Sequence, residues 1–199
     1  MLTVAIFFKR LADAKSRLAS VLSPLERATL ARRMLLHVID AARKASGVAE
    51  VAVVSPEAKI AEIIGRDDVS ILRDPGPDGF NAAAGFALAA LAAGGKPRAL
   101  LLPADLPRMG PEHIEALIKA HARKGADTIV ASKDGFGTNA LLIELPPRFP
   151  LAFGPDSFNR HLANAAHSSR RLHVHRCAHI GTDIDGPDDL RELPPGMIL

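Results

Sequence analysis

Continuous apolar runs alternate with helical repeats along the whole chain. Leu2 to Phe8 is apolar without interruption, the pattern of a strand covered on both faces. Ser23-Pro24-Leu25-Glu26 then supplies an N-cap, a proline at the first helical position and a glutamate three residues on. The stripe Leu30, Met34, Leu35, Val38 and Ala42 carries that helix to about Lys44, and Gly47 ends it. Val51–Val54 reads as a second strand, Ser55-Pro56 as the opening of a second helix, and Ile71-Leu72 as the end of a short third strand. Residues 74–79, Asp-Pro-Gly-Pro-Asp-Gly, form a dense turn signal. Asn81–Ala93 is an Ala-rich helix, Arg98–Leu102 a fourth strand stopped by Pro103, and Pro111–Lys124 a helix closed by Gly125. Thr128–Ala131 and Ala140–Ile143 follow as strands and Ser157–Ala166 as a short helix. Leu172–His175 and His179–Ile184 read as extended, and Pro187–Leu193 as a terminal helix.

Strand–helix alternation of this kind predicts βαβ units with right-handed crossovers. The expected fold class is α/β: a single three-layer domain over residues 1–199, with helices on both faces of a mostly parallel sheet. In such sheets ligands bind beyond the carboxyl ends of the strands, so chemistry is sought just after each apolar run.

Composition narrows the field. Hydrophobic residues make up 48% of the chain and charged residues 24%, which excludes intrinsic disorder. The uncharged run Gly79–Gly95 contains Asn81 and several glycines, too polar to span a bilayer. The amino terminus lacks a basic–apolar–small leader pattern, since Lys9 and Arg10 come after the apolar run. The single cysteine, Cys177, excludes an internal disulfide framework and fits a reducing cytoplasm. A net charge of +3, from 25 basic and 22 acidic residues, suits a phosphorylated small molecule. With neither Trp nor Tyr to stack on bases, nucleic acid is not an expected partner.

Three segments after predicted strands carry charge. Residues 9–18, KRLADAKSRL, place Lys9, Arg10, Lys15 and Arg17 behind the first strand, where ammonium and backbone N–H groups would suit phosphates. A solvated basic loop is the plain alternative, and no P-loop is present. Asp105, in Pro103-Ala-Asp-Leu-Pro107, follows the fourth strand on a proline-stiffened backbone, well placed to hold Mg²⁺ against a phosphate. Residues 181–190, GTDIDGPDDL, put Asp183 and Asp185 on one face if extended, an expensive pairing unless a cation intervenes. Asp185 could instead start the helix at Pro187, so Asp183 ranks above it as a metal ligand.

Three further segments place small or polar residues at turns and element starts. Gly135-Phe-Gly-Thr138-Asn-Ala140 precedes a strand, not a helix, and reads as a tight turn whose amides and Thr138 approach a ligand. Gly154 and Ser157 sit at a helix start, a ready anion site; without a Gly-x-Ser-x-Gly elbow, Ser157 is not a nucleophile. His173, His175, Cys177 and His179 would share one face of a strand. Their steps of about 6.6 Å are too long to close four ligands round one ion, so they read as edge-strand residues.

Taken in order, KRLADAKSRL, Phe80-Asn81, LPADLP, GTNAL, FGPDSFNRH and DIDGPDDL resemble one family over essentially the whole chain. It is the guanylyltransferases that activate a three-carbon phosphoacid (2-phospho-L-lactate, phosphoenolpyruvate or 3-phosphoglycerate) for coenzyme F-420. The resemblance implies a nucleotide-diphospho-sugar transferase (GT-A-like) fold, GTP as donor and Mg²⁺ as cofactor. It implies that Lys9, Lys15 and Asn81 serve the nucleotide, Asp105, Asp183 and Asp185 the metal, and Thr138, Gly154 and Ser157 the phosphoacid. Lys15, Asp105 and Asp183 would form the catalytic set, and the small-molecule partners leave a homodimer open. The chain departs from the family at Phe7-Phe8, Phe80 and Gly186. Molybdenum-cofactor and sugar nucleotidyltransferases of the same fold usually carry glycines where this chain has LADAKSRL, and a non-catalytic nucleotide-binding partner would not need the acids and lysine together.

Overall fold

Every residue of the first strand, β1 (Leu2–Phe7), is buried, as an unbroken apolar run requires when both faces of a sheet are covered. This computed structural model describes residues 1–74 and 79–197, so most of the turn expected over 74–79 lies outside the described residues. The other strands are β2 (Val48–Ser55), β3 (Ser70–Arg73), β4 (Arg98–Pro103), β5 (Asp127–Ala131), β6 (Thr138–Glu144) and β7 (Leu172–Val174), in the sheet order β3-β2-β1-β4-β6-β5-β7. All neighbours pair parallel except β6, which runs antiparallel to β4 and β5. The short 132–137 link explains the exception, since a parallel return needs a dozen residues or more.

Side chains of β1 alternate between two cores. Val4 and Ile6 pack beneath α1 (Pro24–Lys44) and α4 (Pro111–Lys124), with Leu35, Val38, Ile114 and Leu117. Ala5 and Phe7 face α3 (Gly79–Ala93) and α5 (Ser157–His167), through Ala84, Leu88 and Ala165. The helix α1 starts where its sequence dictates: Ser23 accepts from Glu26 N, and the Glu26 carboxylate accepts from Ser23 N at 2.7 Å. Leu35 is fully buried, and its truncation to Ala would cost about 2–5 kcal/mol.

Three expected elements differ. The helix α2 (Ile60–Ile64) begins after Ser55-Pro56, because Ser55 is still paired to Arg73 in the sheet. Residues 179–184 are not all extended: α6 (Ala178–Gly181) forms first. The terminal helix is a 3-10 turn, Pro187–Glu192, whose N-cap is Gly186 and not Asp185.

The chain leaves β1 toward β2 and returns to β4 on the other side, which makes the β1/β4 boundary the switch point of the sheet. Both strands end on the same edge. Because β6 is antiparallel, its first residues, Thr138 and Asn139, also arrive there.

Candidate active site

A cleft of about 1020 Å³ opens over that edge. Lys9, Lys15, Asp105, Asp183 and Asp185 line it together with Thr138, Gly154 and Ser157. Asn81 does not; it borders a separate, mostly apolar hollow of about 390 Å³ beside α3.

One side of the cleft is charged. Asp105 follows β4, and the preceding residue ties the loop back to β1 by an Ala104 N–H bond to Phe7 O at 3.1 Å. The Lys15 ammonium donates both to the Asp105 carboxylate and to Ile184 O. Lys15 holds a left-handed backbone, φ 53°, a conformation that costs a non-glycine residue on the order of 1–3 kcal/mol and collects at functional sites. The other Asp105 oxygen, Oδ1, is buried and has no hydrogen-bond partner. Burial and then the Asp105 charge push Asp183 above the ordinary carboxylate range, while Asn139 pulls the other way. Asn139 is itself buried and donates to Ile180 O, Gly181 O and Asp183 Oδ1 at 3.0–3.2 Å. An orphaned carboxylate oxygen beside a second carboxylate is a set of donors that could hold a hard divalent cation. Asp185 lines the same cleft and its charge acts on Asp183, but it stays exposed and pairs with Arg17 at 3.0 Å.

The other side is neutral and internally satisfied. Ala152 N–H donates to Nε2 of the fully buried His161 at 3.0 Å. That bond leaves the ring proton on Nδ1, which donates to Thr138 Oγ1 at 3.1 Å. Burial brings His161 down to about 4 against the favourable Ser157 carbonyl, so the ring is neutral at pH 7. The Ser157 hydroxyl also donates to Thr138 Oγ1 at 3.1 Å. With both acceptor positions filled, the Thr138 proton is left to donate into the cleft. The helix start gives less than its sequence promised: Ser157 N–H is committed to Gly154 O and Phe158 N–H to Phe136 O. Asn81 holds this wall from behind, exchanging two hydrogen bonds with the Phe153 backbone at 2.7 and 3.0 Å.

Several residues escaped the sequence reading. Lys133 lines the cleft and binds Asp189, whose carboxylate also accepts from Asp185 N and Gly186 N at 2.8 and 2.7 Å. Burial pushes Asp189 up, but Lys133 and those two amides outweigh it and hold it below the ordinary value. Asn139 and His161 also went unassigned; only their neighbours Thr138 and Ser157 carried a signal. The histidine run is not one strand: β7 stops at Val174, and Cys177 caps α6.

A switch-point cleft with an acid pair, a lysine and a neutral wall, on a sheet of this order, goes with a nucleotidyltransferase. A solved structure from Desulfovibrio desulfuricans G20, described as a candidate nucleotide-diphospho-sugar transferase, shares the fold at a TM-score of 0.79 with 15% identity, covering 95% of this chain and 84% of that one. The guanylyl transferase CofC-like family matches residues 2–195, and the chain belongs to that family. A phosphoenolpyruvate guanylyltransferase of Rubrobacter xylanophilus is 38% identical, over 93% of this chain and 89% of its own. A 3-phospho-D-glycerate guanylyltransferase of Phenylobacterium zucineum is 34% identical over 92% and 85%. A 2-phospho-L-lactate guanylyltransferase of Methanosarcina acetivorans is 34% identical over 92% and 81%.

Proposed function

We propose that the protein transfers GMP from GTP to the phosphate of a three-carbon phosphoacid of the phosphoenolpyruvate, 3-phosphoglycerate and 2-phospho-L-lactate class, with release of pyrophosphate. The family membership supports the guanylyl donor, and relatives at 34–38% identity are named for these three acids. The observation that carries the reading is the orphaned Asp105 oxygen beside Lys15 and Asp183, facing a neutral Thr138 wall across one cleft.

An acceptor phosphate is already anionic, so its oxygen attacks the α-phosphorus without a base; the new P–O bond forms as the bond to the β-phosphate bridge breaks and pyrophosphate carries away the electron pair. The barrier is like-charge repulsion, and Mg²⁺ held by Asp105 and Asp183 would supply positive charge where negative charge develops. Lys15 and Lys9 hold further positive charge at the phosphates. Thr138 donates to the acid, with its hydroxyl direction set by His161 and Ser157. Asn139 keeps Asp183 aimed. A step in coenzyme F-420 synthesis and a reducing cytoplasm agree with this reading.

The experiment is pyrophosphate release from GTP in Mg²⁺ as each acid is added. Release that depends on the acid and on Mg²⁺ supports catalysis. GTP binding without turnover on any acid would make the protein a nucleotide-binding partner instead.

A further inference from the structure

Away from the cleft, a second set of ligating side chains comes together. His113 belongs to the first turn of α4, Cys177 precedes α6, and His179 lies within it. One ligand atom from each residue lies within 4.8 Å of the other two. His113 and Cys177 are partly buried, Cys177 against the main core, and His179 is exposed. The two rings stack with centroids 4.2 Å apart and 20° between planes.

We propose that His113, Cys177 and His179 form a transition-metal site of the zinc type, which ties the Asp105 loop to the Asp183 segment. Two imidazoles and a thiolate are a soft donor set that selects zinc-like ions over Mg²⁺. Three protein ligands leave the fourth tetrahedral position to water. Ligand atoms round such an ion stand about 3.3–3.8 Å apart, so closure needs about an ångström of side-chain movement. The exposed His179 ring supplies it by turning out of the stack. The other partner is in place as well: His113 Nδ1 lies 3.3 Å from Glu112 Oε1. A metal on Nε2 puts the ring proton on Nδ1, which then donates to Glu112 in place of accepting from Gly110 N–H at 2.8 Å. A carboxylate behind a ligating histidine is the usual outer support of such sites.

The position gives the site a consequence. His113 stands eight residues after Asp105, and His179 four before Asp183. Ile180 O and Gly181 O, the carbonyls that hold Asn139 and through it Asp183, belong to the same short helix as His179. A metal at the cluster therefore pins the spacing of the two cleft acids without touching substrate.

The test uses Cd²⁺ and Zn²⁺ on the full chain in excess Mg²⁺. One equivalent of Cd²⁺ should give a saturating thiolate charge-transfer band in the ultraviolet, and Zn²⁺ should displace it. Zn²⁺ at about a hundredfold excess over its Kd should raise Tm by about 5–10 °C. The band and the rise should vanish in Cys177→Ser, and the affinity should fall at least tenfold in His113→Asn and His179→Asn. The Asp105→Asn/Asp183→Asn double variant should keep the band, which separates this site from the cleft. No thiolate band, a band whose affinity survives both histidine changes, or a zinc-induced Tm rise that persists in Cys177→Ser would each overturn the proposal.

Discussion

The two walls of the cleft solve opposite problems. On the charged wall, the Asp105 and Asp183 charges act on each other, one carboxylate oxygen has no partner, and Lys15 pairs with Asp105 while Lys9 and Lys133 also line the cleft. On the neutral wall, Ala152, His161, Thr138 and Ser157 pass hydrogen bonds along a buried chain in which each named polar atom has a partner. The contrast shows where the fold stores tension and where it spends order. The charged wall leaves a buried carboxylate oxygen without a partner, and the neutral wall is already hydrogen-bonded within itself.

The largest break should come from the acids. Asp105→Asn and Asp183→Asn each lower kcat by at least roughly 10²-fold, because each removes charge that acts on the transition state. Stability should move the other way at Asp183. A buried carboxyl raised above its unfolded value costs stability as pH rises through that raised value, and the cost is in place at neutral pH. Asp183→Asn, without divalent cation at pH 8, should therefore raise Tm. Paired kinetics and melting curves check both halves; a fall in both would mean that the charged wall is not strained.

On the neutral wall the same operation should hurt both quantities. Thr138→Val keeps the shape but removes the hydroxyl that accepts from His161 and Ser157, costing about 0.5–1.5 kcal/mol of stability for each bond lost. Loss of the Thr138 donor should raise the acid's KM about tenfold or more, with the KM for GTP little changed. Steady-state kinetics in each substrate separate the two. A collapse in GTP affinity with the acid's KM intact would place this wall on the nucleotide side.

How much of this was legible depended on strand direction. Lys15 and Asp105 lie past β1 and β4, where a parallel sheet delivers its ligands; position after a strand singled out Asp105, and the family resemblance picked Lys15 from four neighbouring cations. Asn139 stands at the beginning of a strand, and only the antiparallel setting of β6 brings that end to the cleft. His161 was hidden because a histidine on the buried face of a helix looks like any core residue until Ala152 and Thr138 are placed against it. Asp189, and not Asp185, ties down the start of the terminal turn for a local reason: it is the third residue of the turn, so its carboxylate can reach back to the amides of Asp185 and Gly186. The metal-ligating potential of Cys177 and His179 was read on a straight strand, whereas α6 turns them toward His113, which lies some sixty residues earlier in the sequence.

Acid should expose the neutral wall before it exposes the charged one. His161 is held at about 4 in the fold against 6.5 ordinarily. As pH falls from about 6.5 toward 4, the unfolded chain gains a proton that the folded ring refuses, so stability is lost across that window. The loss reaches roughly 3 kcal/mol at its low end. Denaturant unfolding from pH 7 to pH 4 should show this slope, and His161→Phe should flatten it. A slope unchanged in the variant would assign the acid limb to other groups.

The smallest effect is expected at Asp185. It is exposed and its pair with Arg17 is a surface contact, worth about 0–1 kcal/mol. Asp185→Asn should cost no more than about threefold in turnover. A loss matching that of Asp183→Asn would return Asp185 to the metal.

Product mass spectrometry tests the account at its centre. GTP and Mg²⁺ are mixed with phosphoenolpyruvate, 3-phosphoglycerate, 2-phospho-L-lactate or a sugar 1-phosphate in separate reactions. The account predicts a guanosine diphosphate-linked acid together with equimolar pyrophosphate from at least one of the three acids, formed at least roughly 10²-fold more slowly by Asp105→Asn. Guanylylation of the sugar phosphate with none of the acids accepted would contradict it.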